Sequence, residues 1–151
     1  FPGSYGLVPK PTPLYELKSF TAYATIWPTT PMKGQQAIIS HLNEDETRGF
    51  VLKINSQGQL TATVGQGENL TQLSLETTLK ERHWYMVWMS FDASANLLQV
   101  GQFSLNSGQP ETTTVASQSN CVFRPPTAAW PLTLAGQAGQ SVRDLDRKSV
   151  V

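Results

Sequence analysis

The side chains that could do covalent or metal chemistry in these 151 residues are few and badly spaced for it. The chain has two histidines, His41 and His83, and one cysteine, Cys121. Two distant histidines make no zinc constellation, and Ser40 next to His41 is no triad, whose members meet in space rather than as sequence neighbours. Both histidines therefore read as ordinary residues. Asn43, Glu44, Asp45 and Glu46 place hard oxygen donors in one loop, but calcium wants six to eight oxygens around a sharp turn, and this run lacks that pattern. It reads as a solvated acidic loop with Arg48 as its neutralising neighbour. Glycoside hydrolysis needs two carboxyl groups facing each other across a cleft. The two clearest strand segments, 17–27 and 84–92, hold only Asp92, at an end. Cys121 has no activating His or Lys cluster near it in sequence and reads as a small buried apolar residue. Gly65-Gln66-Gly67 has no helix behind it to bind phosphate and reads as a turn. Trp27, Trp84, Trp88 and Trp130 could form a sugar-stacking platform, although Trp at strand positions more often fills a sandwich core. No catalytic or metal-ligating residue is assigned, no cofactor is expected, and the ligand-binding residues are left open.

The elements that would position any site are strands. Trp84 to Asp92 carries bulky groups at both parities, as in a central strand covered on both faces, and Leu97 to Leu105 returns from it after a connector that begins with Asp92 and ends with Asn96. Leu17 to Trp27 alternates strictly, with Phe20, Ala22, Ala24 and Ile26 on one face, and Pro28 ends it. A short strand is expected around Ala37 to Ser40. Phe50 to Asn55 and Gln59 to Val64 form a second hairpin about Gly58. Leu70 to Leu79 adds a strand, 106–120 reads as a surface connection with a short strand at 112–115, and Trp130 to Gly136 as a buried strand. Pro2, Pro9, Pro11 and Pro13 hold the lead-in extended, with a strand piece near Tyr5 to Val8. Turn signals every 8–12 residues and no helical periodicity predict an all-β sandwich or barrel, and the alternation of the strands predicts the two-sheet antiparallel jelly roll.

Eleven basic and eleven acidic residues cancel, which removes the field that phosphate backbones and anionic lipid surfaces require. Nucleic acid and membrane partners are not expected, and no apolar run approaches the roughly 18 residues needed to span a bilayer. A lone cysteine fits a reducing compartment, so a cytoplasmic setting is expected. The length fits one domain over residues 1–151 that needs neither metal nor disulfide. The absence of an initiator Met and the abrupt end at Lys148-Ser149-Val150-Val151 suggest a domain excised from a larger polypeptide or a processed chain, and the proline-rich entry and the charged run Arg143 to Lys148 read as connections to other structure.

Two alternating strands, a Gly-turn hairpin, a Trp-Tyr strand ending in Phe91-Asp92 and then Leu97-Leu98-Gln99-Val100 resemble laminin-G-like and concanavalin-A-like jelly rolls over roughly residues 17 to 105. Gly3-Ser4-Tyr5, Ser19-Phe20-Thr21, Ile26-Trp27-Pro28-Thr29-Thr30-Pro31, Gly49-Phe50 and Arg82-His83-Trp84-Tyr85 resemble more narrowly the lectin-like domain in the large subunit of the N,N-dimethylformamidase family. That resemblance implies an iron-dependent amide hydrolase whose chemistry resides in another domain. No residue here matches a catalytic motif that could be carried over. The chain would then be an accessory module that packs against other domains or subunits, with carbohydrate binding as the alternative.

Overall fold

The computed structural model describes residues 6–106, 113–127 and 130–135, and in them ten strands. They are β1 (Gly6–Val8), β2 (Phe20–Ile26), β3 (Gln36–Leu42), β4 (Arg48–Ile54), β5 (Gln59–Gln66), β6 (Leu70–Thr78), β7 (Tyr85–Asp92), β8 (Leu97–Ser104), β9 (Thr113–Gln118) and β10 (Leu132–Leu134). A six-stranded sheet runs β1-β10-β3-β4-β5-β6, and a four-stranded sheet runs β2-β7-β8-β9. Every pairing is antiparallel. The expected two-sheet sandwich is what the chain forms.

Alternation decides which residues lie between the sheets, because successive side chains on a strand point to opposite faces. Ala24 and Ile26 of β2, Val87, Met89 and Phe91 of β7, and Leu98 and Val100 of β8 point inward and are buried, with Phe20 and Ala22 packed at the margin. The large sheet answers with Phe50, Leu52, Ile54, Leu60, Ala62, Val64 and Leu75. On its opposite face Ala37, Leu42 and Val51 form a small separate cluster, so β3 is buried along its whole length.

The turns are built by the residues that signalled them. Asp92 Oδ1 accepts the backbone N–H of Ser94 at 2.9 Å and its hydroxyl at 2.6 Å, and Asn96 takes a left-handed φ of 49° to start β8. Gly58, at φ 74°, turns β4 into β5 while Asn55 Oδ1 accepts the N–H groups of Gln57 and Gln59.

Several expectations need correction. β7 is central in its sheet but covered on one face only: Trp84 and Met86, at its outward parity, are 39% and 38% exposed. The polar stretch after β8 is more than a connection, since Thr113–Gln118 pairs with β8 from Leu98 to Phe103. Its Thr and Val residues are β-branched and suit an edge strand. β5 continues through Gln66, so the turn starts at Gly67 rather than Gly65. Gly65 stays in the strand because the Thr47 backbone packs against it, where a Cβ would lie 2.4 Å from the Thr47 carbonyl. The proline-rich lead-in forms a 3-10 turn at Thr12–Glu16, with Pro13 fixing φ where no donor is needed. The strand expected from Trp130 to Gly136 is three residues long, with Thr133 buried and Leu134 38% exposed. The charged run 143–148 and the strand start at 112 lie outside the described residues.

Phe91 is 4% exposed and packs against Phe123, from the segment that follows β9, at a centroid distance of 5.8 Å. Phe91→Ala removes that ring and leaves a cavity that a two-sheet core closes poorly, so it should cost about 3–5 kcal/mol. Chemical denaturation measures this, and a loss below about 1 kcal/mol would contradict the packing described.

Candidate functional site

The outward face of the four-stranded sheet is where apolar side chains gather without burial. Register places Tyr23, Trp88, Gly101 and Val115 in one row across β2, β7, β8 and β9, and Thr25, Met86, Phe103 and Thr113 in the next. Tyr23 is 69% exposed and Val115 47%. Trp27 and Trp84 extend the surface at the end of β2 and the start of β7, with ring centroids 6.4 Å apart. The third row, Thr21, Ser90, Gln99 and Ser117, is polar but uncharged. Among the described residues of these three rows there is no charge.

Gly101 is what lays the Trp88 indole down. A Cβ built at Gly101 would meet the Trp88 ring at 2.3 Å, so the ring lies over the glycine backbone and its other face is turned away from the sheet. Trp88 is half-buried, Trp84 exposed and Trp27 half-buried. None of the four tryptophans belongs to the buried core, contrary to the core-filling expectation. The reason is parity: Trp84 and Trp88 share a face with Met86, and Tyr85, Val87 and Met89 take the other. Trp130 stands apart. Its carbonyl receives the Tyr15 hydroxyl at 3.4 Å and His41 Nε2 at 3.0 Å.

The polar candidates are dispersed and serve structure. Hydrogen bonds from the Thr47 hydroxyl and backbone N–H hold the Asp45 carboxyl below its ordinary pKa, and Asn43 Oδ1 accepts the Arg48 N–H. The Arg48 guanidinium reaches the Pro125 carbonyl at 3.4 Å. Asp92 closes the β7–β8 turn, and bonds from Ser94 lower its pKa in the same way. His83 Nδ1 lies 2.6 Å from the Glu81 carbonyl. Cys121 is buried, and desolvation raises its thiol pKa. No group of three or more His, Cys, Asp or Glu side chains converges among the described residues, so the iron implied by the resemblance finds no ligand set in them. None of their helices is long and apolar enough to cross a membrane.

His41 is buried beside Tyr15 and Phe50, at ring-centroid distances of 5.9 and 6.1 Å. A carbonyl only accepts, so Nε2 carries the proton toward Trp130 and Nδ1 is left buried with no partner. Burial lowers the His41 pKa, opposed in part by the bond to Trp130.

The same architecture recurs in solved structures. The LG1-3 region of the laminin alpha2 chain superposes with a TM-score of 0.66 at 13% identity, covering 95% of this chain and 26% of that one. The CBM40 of the Ruminococcus gnavus IT-sialidase, bound to alpha2,3 sialyllactose, gives 0.61 at 18% identity, covering 91% of this chain and 77% of that one. Mouse laminin alpha1 domains LG4-5 give 0.57 at 16% identity, covering 95% and 36%. The fold is a laminin-G-like jelly roll. No family model matches the sequence. Over 88 residues the jelly-roll chain is 30% identical to the N,N-dimethylformamidase beta subunit of Alcaligenes sp and 27% identical to that of Paracoccus aminophilus. That stretch is 58% of this chain and 11% of each relative, so the chain spans about a tenth of the curated relatives it matches.

Two measurements check this geometry. Because the folded-state pKa of His41 is lowered, the unfolded chain takes up a proton first as pH falls. The contribution of His41 should be complete above its unfolded value of about 6.5 and should be lost as pH falls toward and through the folded value. His41→Gln keeps a donor for Trp130 and should flatten the slope of stability against pH below about 6.5; an unchanged slope would contradict the buried neutral ring. Gly101→Val should lift the Trp88 ring off the sheet and shift tryptophan emission to the red, with strand content retained by circular dichroism.

Proposed function

We propose that this chain is a non-catalytic accessory domain of an amide hydrolase resembling N,N-dimethylformamidase, and that it packs against other domains or subunits of that protein. The observation that carries the reading is the three uncharged rows on the outward face of the four-stranded sheet. Tyr23, Trp84, Met86 and Val115 are all more than a third exposed there, beside Trp27, Trp88 and Phe103. Contiguous exposed apolar surface of this kind marks an interaction site, and aromatic anchors of low conformational entropy are the residues that carry interface energy. The occupant is protein of the same assembly, because the matched relatives are beta subunits in which the shared stretch is 11% of the length. Zero net charge gives no steering field for a charged ligand. Dispersed, turn-bound Asp45 and Asp92 and a buried thiol at Cys121 leave no nucleophile, base and oxyanion donor converging among the described residues.

The second reading is a lectin-like module. It is favoured by the Trp88 ring lying flat over Gly101, a geometry on which a sugar ring can stack, and by the likeness to a carbohydrate-binding domain whose structure holds sialyllactose.

The two readings separate experimentally. In the full-length protein this face should be covered by an interface of more than about 1,000 Å² in total. The pair Tyr23→Asp and Trp88→Asp should then weaken assembly in size-exclusion chromatography without unfolding the domain. A full-length assembly whose size and activity survive deletion of the domain would defeat the proposal. Glycan-array binding by the isolated chain, lost on Trp88→Ala, would favour the lectin-like reading instead.

A further inference from the structure

One end of the sandwich holds a cavity of about 380 Å³ that shares no residue with the aromatic face. The buried Phe91 and Phe123 pair lies at its base, and the part-buried Leu17, Val122 and Pro125 give it apolar walls. Glu16, Lys18 and Arg124 also line it and are exposed. The walls are pinned by hydrogen bonds. The Ala93 N–H donates to Ser19 Oγ at 2.8 Å, which ties the β7–β8 turn to the lead-in of β2. The Cys121 N–H donates to the Asn96 carbonyl at 2.9 Å, and the Arg124 N–H to the Gly65 carbonyl at 2.9 Å. Three loops are therefore held in place before any ligand arrives, which lowers the ordering cost of binding.

The volume falls within the usual range of small-molecule sites, about 300–1,000 Å³. The lining sets the chemistry. Inorganic phosphate would leave the apolar walls unused, a neutral sugar would leave the cations without a counter-charge, and a hydrocarbon would do the same. Two cations against one acid leave a single positive charge, which matches a monoanion. We propose that this cavity binds a small organic monocarboxylate with an aromatic or branched apolar body, that body against Leu17, Val122 and Pro125 and its carboxylate toward Lys18 and Arg124. The site is independent of the accessory role, and either can fail alone.

The test is a titration of the ¹⁵N-labelled chain with 3-phenylpropionate and, separately, with its neutral analogue 3-phenylpropanamide at low salt. The acid should shift amide resonances at Ala93, Asn96 and Phe123 and bind about fivefold more tightly than the amide, the scale of an exposed ion pair. Added salt should erase that preference in the unaltered chain, as should Lys18→Gln with Arg124→Gln in a variant that keeps the native spectrum. Trp88→Ala should bind as the unaltered chain does. Equal affinity for acid and amide, shifts centred on Trp27, Trp84 and Trp88, or no shifts at tens of millimolar ligand would each overturn the proposal.

Discussion

Four phenylalanine rings hold the two sheets together. Phe20 and Phe91 come from the small sheet, Phe50 from the large one, and Phe123 from the segment that follows β9. Their centroids lie 4.6 Å apart for Phe20 and Phe50, 5.0 Å for Phe20 and Phe123, and 5.8 Å for Phe91 and Phe123. Tilted ring contacts at these separations add to the area that the rings bury. The segment that carries Phe123 is bonded at Cys121 to the β7–β8 turn and at Arg124 to β5, so its backbone bridges the same two sheets as its side chain. The end cavity depends on this bridge, because without it neither floor nor wall would be fixed.

Much of this was legible because a strand has a period of two and its turns have a chemistry. Strict alternation in Phe20 to Ile26 named one inner face correctly, and Asp92, Asn96 and Gly58 marked turns that the chain makes as their backbone preferences dictate. β7 defeated the same logic in part. Its two parities are equally bulky, so sequence could place it in mid-sheet but could not say whether its second face was covered. That ambiguity hid the aromatic surface. The signal that resolves it lies in a different strand: Gly101, register partner of Trp88, makes sense only if a large ring rests on it. Register is a long-range property, and one strand read alone does not reveal it. The bridge at Cys121 to Arg124 was illegible for the same reason, since its partners are distant in sequence and backbone bonds leave no trace in residue type.

The two sheets divide the work unequally. The large sheet contributes most of the inward aliphatic surface and buries β3 entirely, so its side chains are spent on cohesion. The small sheet, whose three uncharged outward rows carry aromatic, aliphatic and polar side chains, has surface left over for recognition. Fold alone does not assign that recognition, which is why laminin G domains and a carbohydrate-binding module can share one architecture with this chain.

The first and last described strands, β1 and β10, are hydrogen-bonded neighbours, with Gly6 opposite Leu134. The described residues thus begin and end side by side, with the two backbones about 5 Å apart at β1 and β10. The ten described strands could sit within a single surface loop of a host protein, because Gly6 and Leu134 lie side by side. The same adjacency allows circular permutation: a short linker across β1 and β10, with new termini opened in the β4–β5 turn near Gly58, would leave every sheet pairing described here available to the rewired chain.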